Sequence, residues 1–147
     1  SRLWQARHDA YWAGIALKPG SRSLTTDVCV PISRLAECIT ETLKDIDALG
    51  MPCPIVGHVG DGNFHVLVLA DPNNADEIDR AHAFAARLAE RAIHMDGTCT
   101  GEHGVGIGKQ DYLAFEHGDG AVELMRKIKR ALDPDNILNP GKILPPA

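Results

Sequence analysis

Two histidines flank a tight turn in His58-Val59-Gly60-Asp61-Gly62-Asn63-Phe64-His65. On one continuous strand, an odd separation would point them to opposite faces. The turn changes that, because Asp61-Gly62 is a preferred pair for a two-residue type I′ hairpin loop. With those two as the loop, His58 stands directly opposite His65, with Cβ atoms about 4.5–5.5 Å apart. Two imidazoles so placed can share one metal. A third ligand is offered by Gly97-Thr98-Cys99-Thr100-Gly101-Glu102-His103-Gly104-Val105-Gly106, where glycines crowd one carboxylate and one imidazole. Two His nitrogens and a Glu oxygen make a three-ligand site with open positions, as catalytic metals require. His103 would then lie beside the metal as a neutral imidazole able to take a proton from a hydroxyl. Blander readings are two half-buried histidines on a sheet face, and a glycine stretch that is only a loop or a phosphate-binding turn. The second of these is weak. Gly104-Val105-Gly106-Ile107-Gly108 does not fit G-x-G-x-x-G, and Lys109 stands in no Walker context. Lys109 reads as a solvated or capping residue, with contact to an anionic group as the lesser alternative. His82 and His94 fall on a predicted helix and read as surface or partly buried residues.

The elements that must position these residues follow from periodicity. Residues 3–13 read as a helix anchored by Trp4, Tyr11 and Trp12. Leu24 to Val30 reads as a strand stopped by Pro31. Leu35, Ile39, Leu43, Ile46 and Leu49 recur at helical spacing over Ile32 to Leu49, and Gly50 ends that helix. Ile55 to Gly60 and Phe64 to Ala70 read as strands, Ala75 to His94 as a long helix, and Thr98 to His103 as a last strand. Helices follow near Lys109 to Glu116 and Ala121 to Leu132, then a tail of turns. The order β-α-β-β-α-β, with helices added at both ends, predicts an α+β fold of ferredoxin-like type: an antiparallel sheet with helices on one face. Its other face needs a cover.

Bulk properties narrow the classes. The chain of 147 residues carries 15 Lys and Arg against 20 Asp and Glu, a formal charge of −5. That balance disfavours a nucleic-acid or anionic-membrane binder. It leaves room for a small anionic substrate beside a metal. No apolar run reaches the roughly 18 residues of a membrane span. Cys29, Cys38, Cys53 and Cys99 form no C-x-x-C pair and no disulfide framework, so reduced thiols in an intracellular protein are expected. The chain starts at Ser1, without Met, and reads as a piece of a longer protein.

Four ordered motifs together resemble one family. They are Thr26-Asp27-Val28-Cys29-Val30-Pro31-Ile32-Ser33-Arg34-Leu35, Gly57 to His65, Gly97 to Gly104, and Leu138-Asn139-Pro140-Gly141-Lys142. They look like the C-terminal domain of FAD-linked oxidases, in the branch of the cytochrome-linked D-lactate dehydrogenases. Glycolate oxidase FAD subunits and D-2-hydroxyglutarate dehydrogenases are relatives. The resemblance spans nearly the whole chain. It implies that residues 1–147 form the substrate- and metal-binding domain, with FAD held mainly by an N-terminal domain outside this chain. It further implies that His58, His65 and Glu102 hold a divalent metal, zinc or manganese, and that His103 is the base. Arg7 would pair with the substrate carboxylate, a task suited to a forked guanidinium, and Asn139 would lie near the flavin. The implied activity is oxidation of a 2-hydroxy acid to the 2-oxo acid, with hydride passing to FAD. Electrons would leave to a cytochrome, a quinone or an electron-transfer flavoprotein. The implied location is cytoplasmic or at the periphery of the inner membrane, and mitochondrial in a eukaryote. Two departures from the hydroxyglutarate branch favour a monocarboxylic substrate such as D-lactate. Leu67 stands where that branch carries Asn, and Leu24 to Asp27 lacks its Lys.

Two other classes fit the motifs alone. One is a non-flavin metalloenzyme with a two-His-one-carboxylate centre. The other is an inert ferredoxin-like interaction domain, able to associate with itself through an uncovered sheet face.

Overall fold

A computed structural model of the chain describes residues 2–146; the side chains of Leu3 and Arg7 lie outside that description. Helix α1 runs Arg2–Ile15, β1 Arg22–Thr25, β2 Val28–Cys29, α2 Ile32–Leu49, β3 Ile55–His58, β4 Asn63–Ala70, α3 Ala75–His94, α4 Tyr112–His117 and α5 Asp119–Leu132. A single 3-10 turn, Val59–Asp61, joins β3 to β4.

Strand β4 is the centre of an antiparallel sheet, with β1 and β2 along one side and β3 along the other. Thr98 bridges Cys29 beyond β2. The β-α-β-β-α-β order of the α+β expectation is therefore present, but its last strand is one bridge long. The strand expected over Thr98 to His103 does not form. Thr98 Oγ1 accepts a hydrogen bond from Thr100 N at 3.2 Å. That local side-chain turn competes with a ladder. Gly97 also lies so close to the β2 end that an added Cβ would sit 2.3 Å from Cys29 O.

The long amphipathic helices form as their spacing predicts. Leu35, Cys38 and Leu49 of α2 and Ala81, Phe84, Leu88 and Ala92 of α3 close on Phe64, Val66, Val68 and Ala70 of β4. Gly50 ends α2 with φ of 67°, a conformation only glycine adopts without strain. Asn74 caps α3, its Oδ1 accepting from Glu77 N at 3.3 Å. Of the two C-terminal helices expected over 109–116 and 121–132, the first runs Tyr112–His117, and the second, Asp119–Leu132, starts two residues earlier and ends as expected.

Alternation along β4 sends Asn63, His65, Leu67 and Leu69 to the opposite face. There α1 is seated through Gly14, where an added Cβ would come 2.8 Å from Leu67 Cδ1. The expected aromatic anchors are not anchors: Trp4, Tyr11 and Trp12 are 58%, 42% and 69% exposed. The close approach at Gly14 fixes the helix, and it leaves those rings outside the packed interface.

Candidate functional site

The hairpin brings its histidines together, but in a different register from the one the turn residues predict. His58 is opposite Asn63, and Val56 is opposite His65. The type I′ loop is replaced by the 3-10 turn, closed by Gly62 at φ of 75°. Relative to the expected pairing, the register has moved by two residues. An odd slip would put one histidine on the wrong face; an even one preserves the face. His58 and His65 are therefore diagonal neighbours, with ring centroids 5.8 Å apart at 84°.

His65 is oriented by a break in the neighbouring strand. Thr25 lies opposite Leu67 and Val28 opposite Phe64, so the register is the same on both sides and no residue is inserted. At the break, Thr26 N donates to Val66 O at 3.0 Å. Val66 N donates to the Thr26 hydroxyl, at 2.9 Å, rather than to its carbonyl. The freed Thr26 carbonyl accepts from His65 Nδ1 at 3.1 Å. A carbonyl only accepts, so Nδ1 carries a proton and Nε2 is the nitrogen left for chemistry.

That nitrogen is 3.0 Å from Glu102 Oε1. His58 Nε2 is 3.2 Å from the same oxygen, and His103 Nε2 is 3.8 Å from it. The His103 ring stacks on His65 at 4.8 Å and 8°. In a neutral His65 the Nε2 lone pair faces a carboxylate oxygen, and two acceptors at that distance need a proton or a cation between them. The donor set of His58, His65 and Glu102 thus fits a divalent metal, since its ligand atoms lie within 4.8 Å of one another. Asp27, His65 and His103 also meet that distance criterion. Asp27, however, is saturated with protein donors. It accepts from His103 N at 2.9 Å, Glu102 N at 3.1 Å, Asn63 Nδ2 at 2.9 Å, Thr100 Oγ1 at 3.2 Å and Lys109 Nζ at 3.3 Å. Burial alone would raise its pKa. The His103 amide, the Asn63 amide, the Lys109 charge and the Glu102 amide outweigh burial and hold the carboxyl well below the usual carboxylate range.

A cleft of about 610 Å³ opens over these residues. His58, His65, Glu102 and His103 line one side; His8 and Tyr11 of α1, with Val56 and Leu67, line the rest. Arg7, expected as a substrate ligand, lies on α1, and its side chain is outside the described residues. Asn139, expected near a flavin, is exposed in the tail with φ of 48° and is not among the residues lining the cleft.

Lys109 corrects a sequence expectation. It is neither a solvated nor a helix-capping residue, because Nζ donates to Asp27 O at 2.8 Å and faces its carboxylate. Thr26, Asp27 and Asn63 were not expected in the site at all. A signal for Asp27 exists in the sequence. An acidic side chain inside an otherwise uncharged strand, Leu24 to Val30, must find charged or donor partners when buried. Which partners those are cannot be read locally. The four cysteines are free thiols, as expected.

A family model described as FAD linked oxidases, C-terminal domain, matches residues 1–143. The chain is 57% identical to a probable mitochondrial D-lactate dehydrogenase of Danio rerio, over 98% of this chain and 29% of that protein. It is 46% identical to the mitochondrial D-lactate dehydrogenase [cytochrome] of Arabidopsis thaliana, over 98% of this chain and 25% of that protein. It is 39% identical to the glycolate oxidase subunit GlcD of Bacillus subtilis, over 96% of this chain and 30% of that protein. The chain therefore spans about a quarter to a third of the length of these relatives. By the family match and by these likenesses, the chain belongs to the C-terminal domain family of the FAD linked oxidases.

Proposed function

We propose that residues 1–147 are the substrate- and metal-binding domain of a flavin-dependent D-2-hydroxy-acid dehydrogenase, which oxidises D-lactate or a similar monocarboxylic 2-hydroxy acid to the 2-oxo acid. The observation that carries this reading is the convergence of His58 and His65 Nε2 on one oxygen of Glu102, beside His103, at the wall of a substrate-sized cleft. Membership of the family argues against the non-flavin metalloenzyme and the inert interaction domain.

A divalent metal held by His58, His65 and Glu102 would supply Lewis acidity toward the hydroxyl and carboxylate of the substrate, and FAD, held mainly by a preceding domain, would supply the hydride acceptor. His103 Nε2 receives the hydroxyl proton, its ring stacked on His65 at the wall of the cleft. Arg7 pairs with the substrate carboxylate. Leu67 and Val56 give the cleft an apolar wall. A second carboxylate on the substrate would be desolvated there without a partner, which favours a monocarboxylate. Zinc and manganese both suit the ligand set. The name of the plant relative points to a cytochrome as electron acceptor and, for a eukaryotic protein, to mitochondria. No helix among the described residues is long and apolar enough to cross a membrane.

The test uses the full-length protein. It should be yellow, contain a divalent metal, and reduce a dye with D-lactate faster than with D-2-hydroxyglutarate. Absence of bound flavin, or turnover indifferent to His103→Ala, overturns the reading.

A further inference from the structure

Most of the segment carrying the third ligand and the base lacks a strand neighbour. After the Thr98 bridge, residues 99–103 have no ladder partner. A backbone so placed should wander. Instead its amides at Glu102 and His103 donate to one buried carboxylate, Asp27, at 3.1 and 2.9 Å, and the Thr100 hydroxyl joins them at 3.2 Å. Asp27 stands at the β1–β2 break, next to the Thr26 carbonyl that orients His65. It is tied to the start of β4 by Asn63 Nδ2, which also donates to Val28 O at 3.0 Å. Its side chain is 1% exposed, and Lys109 Nζ at 3.3 Å balances its charge. Gly101 completes the fit: an added Cβ would lie 1.7 Å from Asn63 Nδ2 and 2.8 Å from Asp27 Oδ1.

We propose that Asp27 is a positioning residue whose buried carboxylate takes the place of a missing strand neighbour, holding the Glu102–His103 backbone so that the third metal ligand and the base meet His58 and His65. The inference rests on the metal reading above for what Glu102 does, though not for how Asp27 holds it. Asp27 is not among the residues lining the cleft. The same carboxylate fixes two adjacent residues with different tasks, so its loss affects ligand and base together. Outer partners of metal ligands change metal affinity by about 10–100-fold when removed.

The test compares wild type, Asp27→Asn and Asp27→Asn/Lys109→Met in the full-length protein, by manganese titration of metal-stripped enzyme and by hydrogen exchange of residues 100–104. Asp27→Asn keeps the shape but puts an amide N–H among the donors. It should weaken manganese binding about 10–100-fold and remove protection from residues 100–104, while β4 and α3 stay protected. The double variant separates positioning from mere burial of a charge pair. If Asp27 only neutralises Lys109, removing both restores manganese affinity and protection; if it positions the segment, neither returns. Manganese affinity within twofold of wild type with protection intact in Asp27→Asn, or recovery in the double variant, overturns the proposal. Should Asp27→Asn fail to fold, Thr100→Val decides. It removes one hydroxyl donor at a half-buried position. Weakening of about threefold or more supports the proposal, and no change overturns it. A wild-type protein that takes up no manganese or zinc refutes the metal reading. The exchange measurement still settles the anchoring, because it needs no metal.

Discussion

Strand β4 and the segment from Gly97 to Lys109 supply the candidate site from opposite kinds of structure. Every residue of β4 is buried, and its neighbours on both sides hold it by ladders. The glycine segment has one bridge, and Glu102 and His103 are exposed. Yet His65 Nε2 and Glu102 Oε1 come within 3.0 Å of each other. The difference teaches how a sheet with a truncated edge can still present a defined group. The Asp27 carboxylate and the Thr26 carbonyl, at one break in one strand, do for the loop and for the imidazole what backbone ladders do elsewhere. Rigidity of the site is borrowed from β4 through Asn63 and the strand break, not built into the segment itself.

That contrast predicts that changes on the glycine segment cost activity with little stability, and changes on the β4 scaffold cost stability with little specific effect on chemistry. The largest effect should come from His103→Ala. Loss of a general base lowers the turnover of the full-length enzyme with D-lactate by about 10²–10⁴-fold, with the denaturation midpoint unchanged; a loss under tenfold would remove His103 from the mechanism. Phe84→Ala, at a fully buried ring under β4, should destabilise the fold by about 3–5 kcal/mol in urea titration. The surviving folded fraction should retain its manganese affinity. If affinity per folded molecule falls as well, the two regions are not separable.

Gly101→Ala sits between these cases. Its methyl group collides with Asn63, so overpacking should cost about 1–3 kcal/mol. Because the collision pushes Glu102 away, manganese binding should fall more than stability does. A crystal structure showing residues 100–104 unmoved in that variant would contradict the close approach. The smallest effect is expected from Asn74→Ala, which removes the α3 cap on the scaffold side. About 1 kcal/mol of stability should go, read as a shift of the urea midpoint, with kcat and KM for D-lactate unaltered.

Much of this molecule is legible along the chain. The spacing of Leu35, Ile39 and Leu49 with the Gly50 stop marked α2, and the span Ala75 to His94 read as α3, both with the right ends, because helix periodicity and termination are local. The histidine pair was legible in kind but not in detail. Asp61-Gly62 suggests a two-residue loop, whereas a 3-10 turn shifts the pairing by two, and only the evenness of the shift kept both rings on one face. The aromatic side chains of α1 read as anchors, since composition cannot show that Gly14 is the point of contact. Lys109 read as solvated because nothing near it in sequence is acidic and buried; its partner is 82 residues away.

The sequence by itself determined the residue types of the candidate site, the helices that back the sheet and the family to which the chain belongs. All of these rest on residue identity and on patterns a few residues long. Only the tertiary structure decided how the groups converge: the diagonal register of His58 and His65, the Thr26 carbonyl that leaves Nε2 free, and the Asp27 carboxylate that holds amides 75 and 76 residues further along the chain. The physical reason is that hydrogen-bond partners for a buried charge are chosen by packing, and packing joins segments whose separation in sequence carries no local signal.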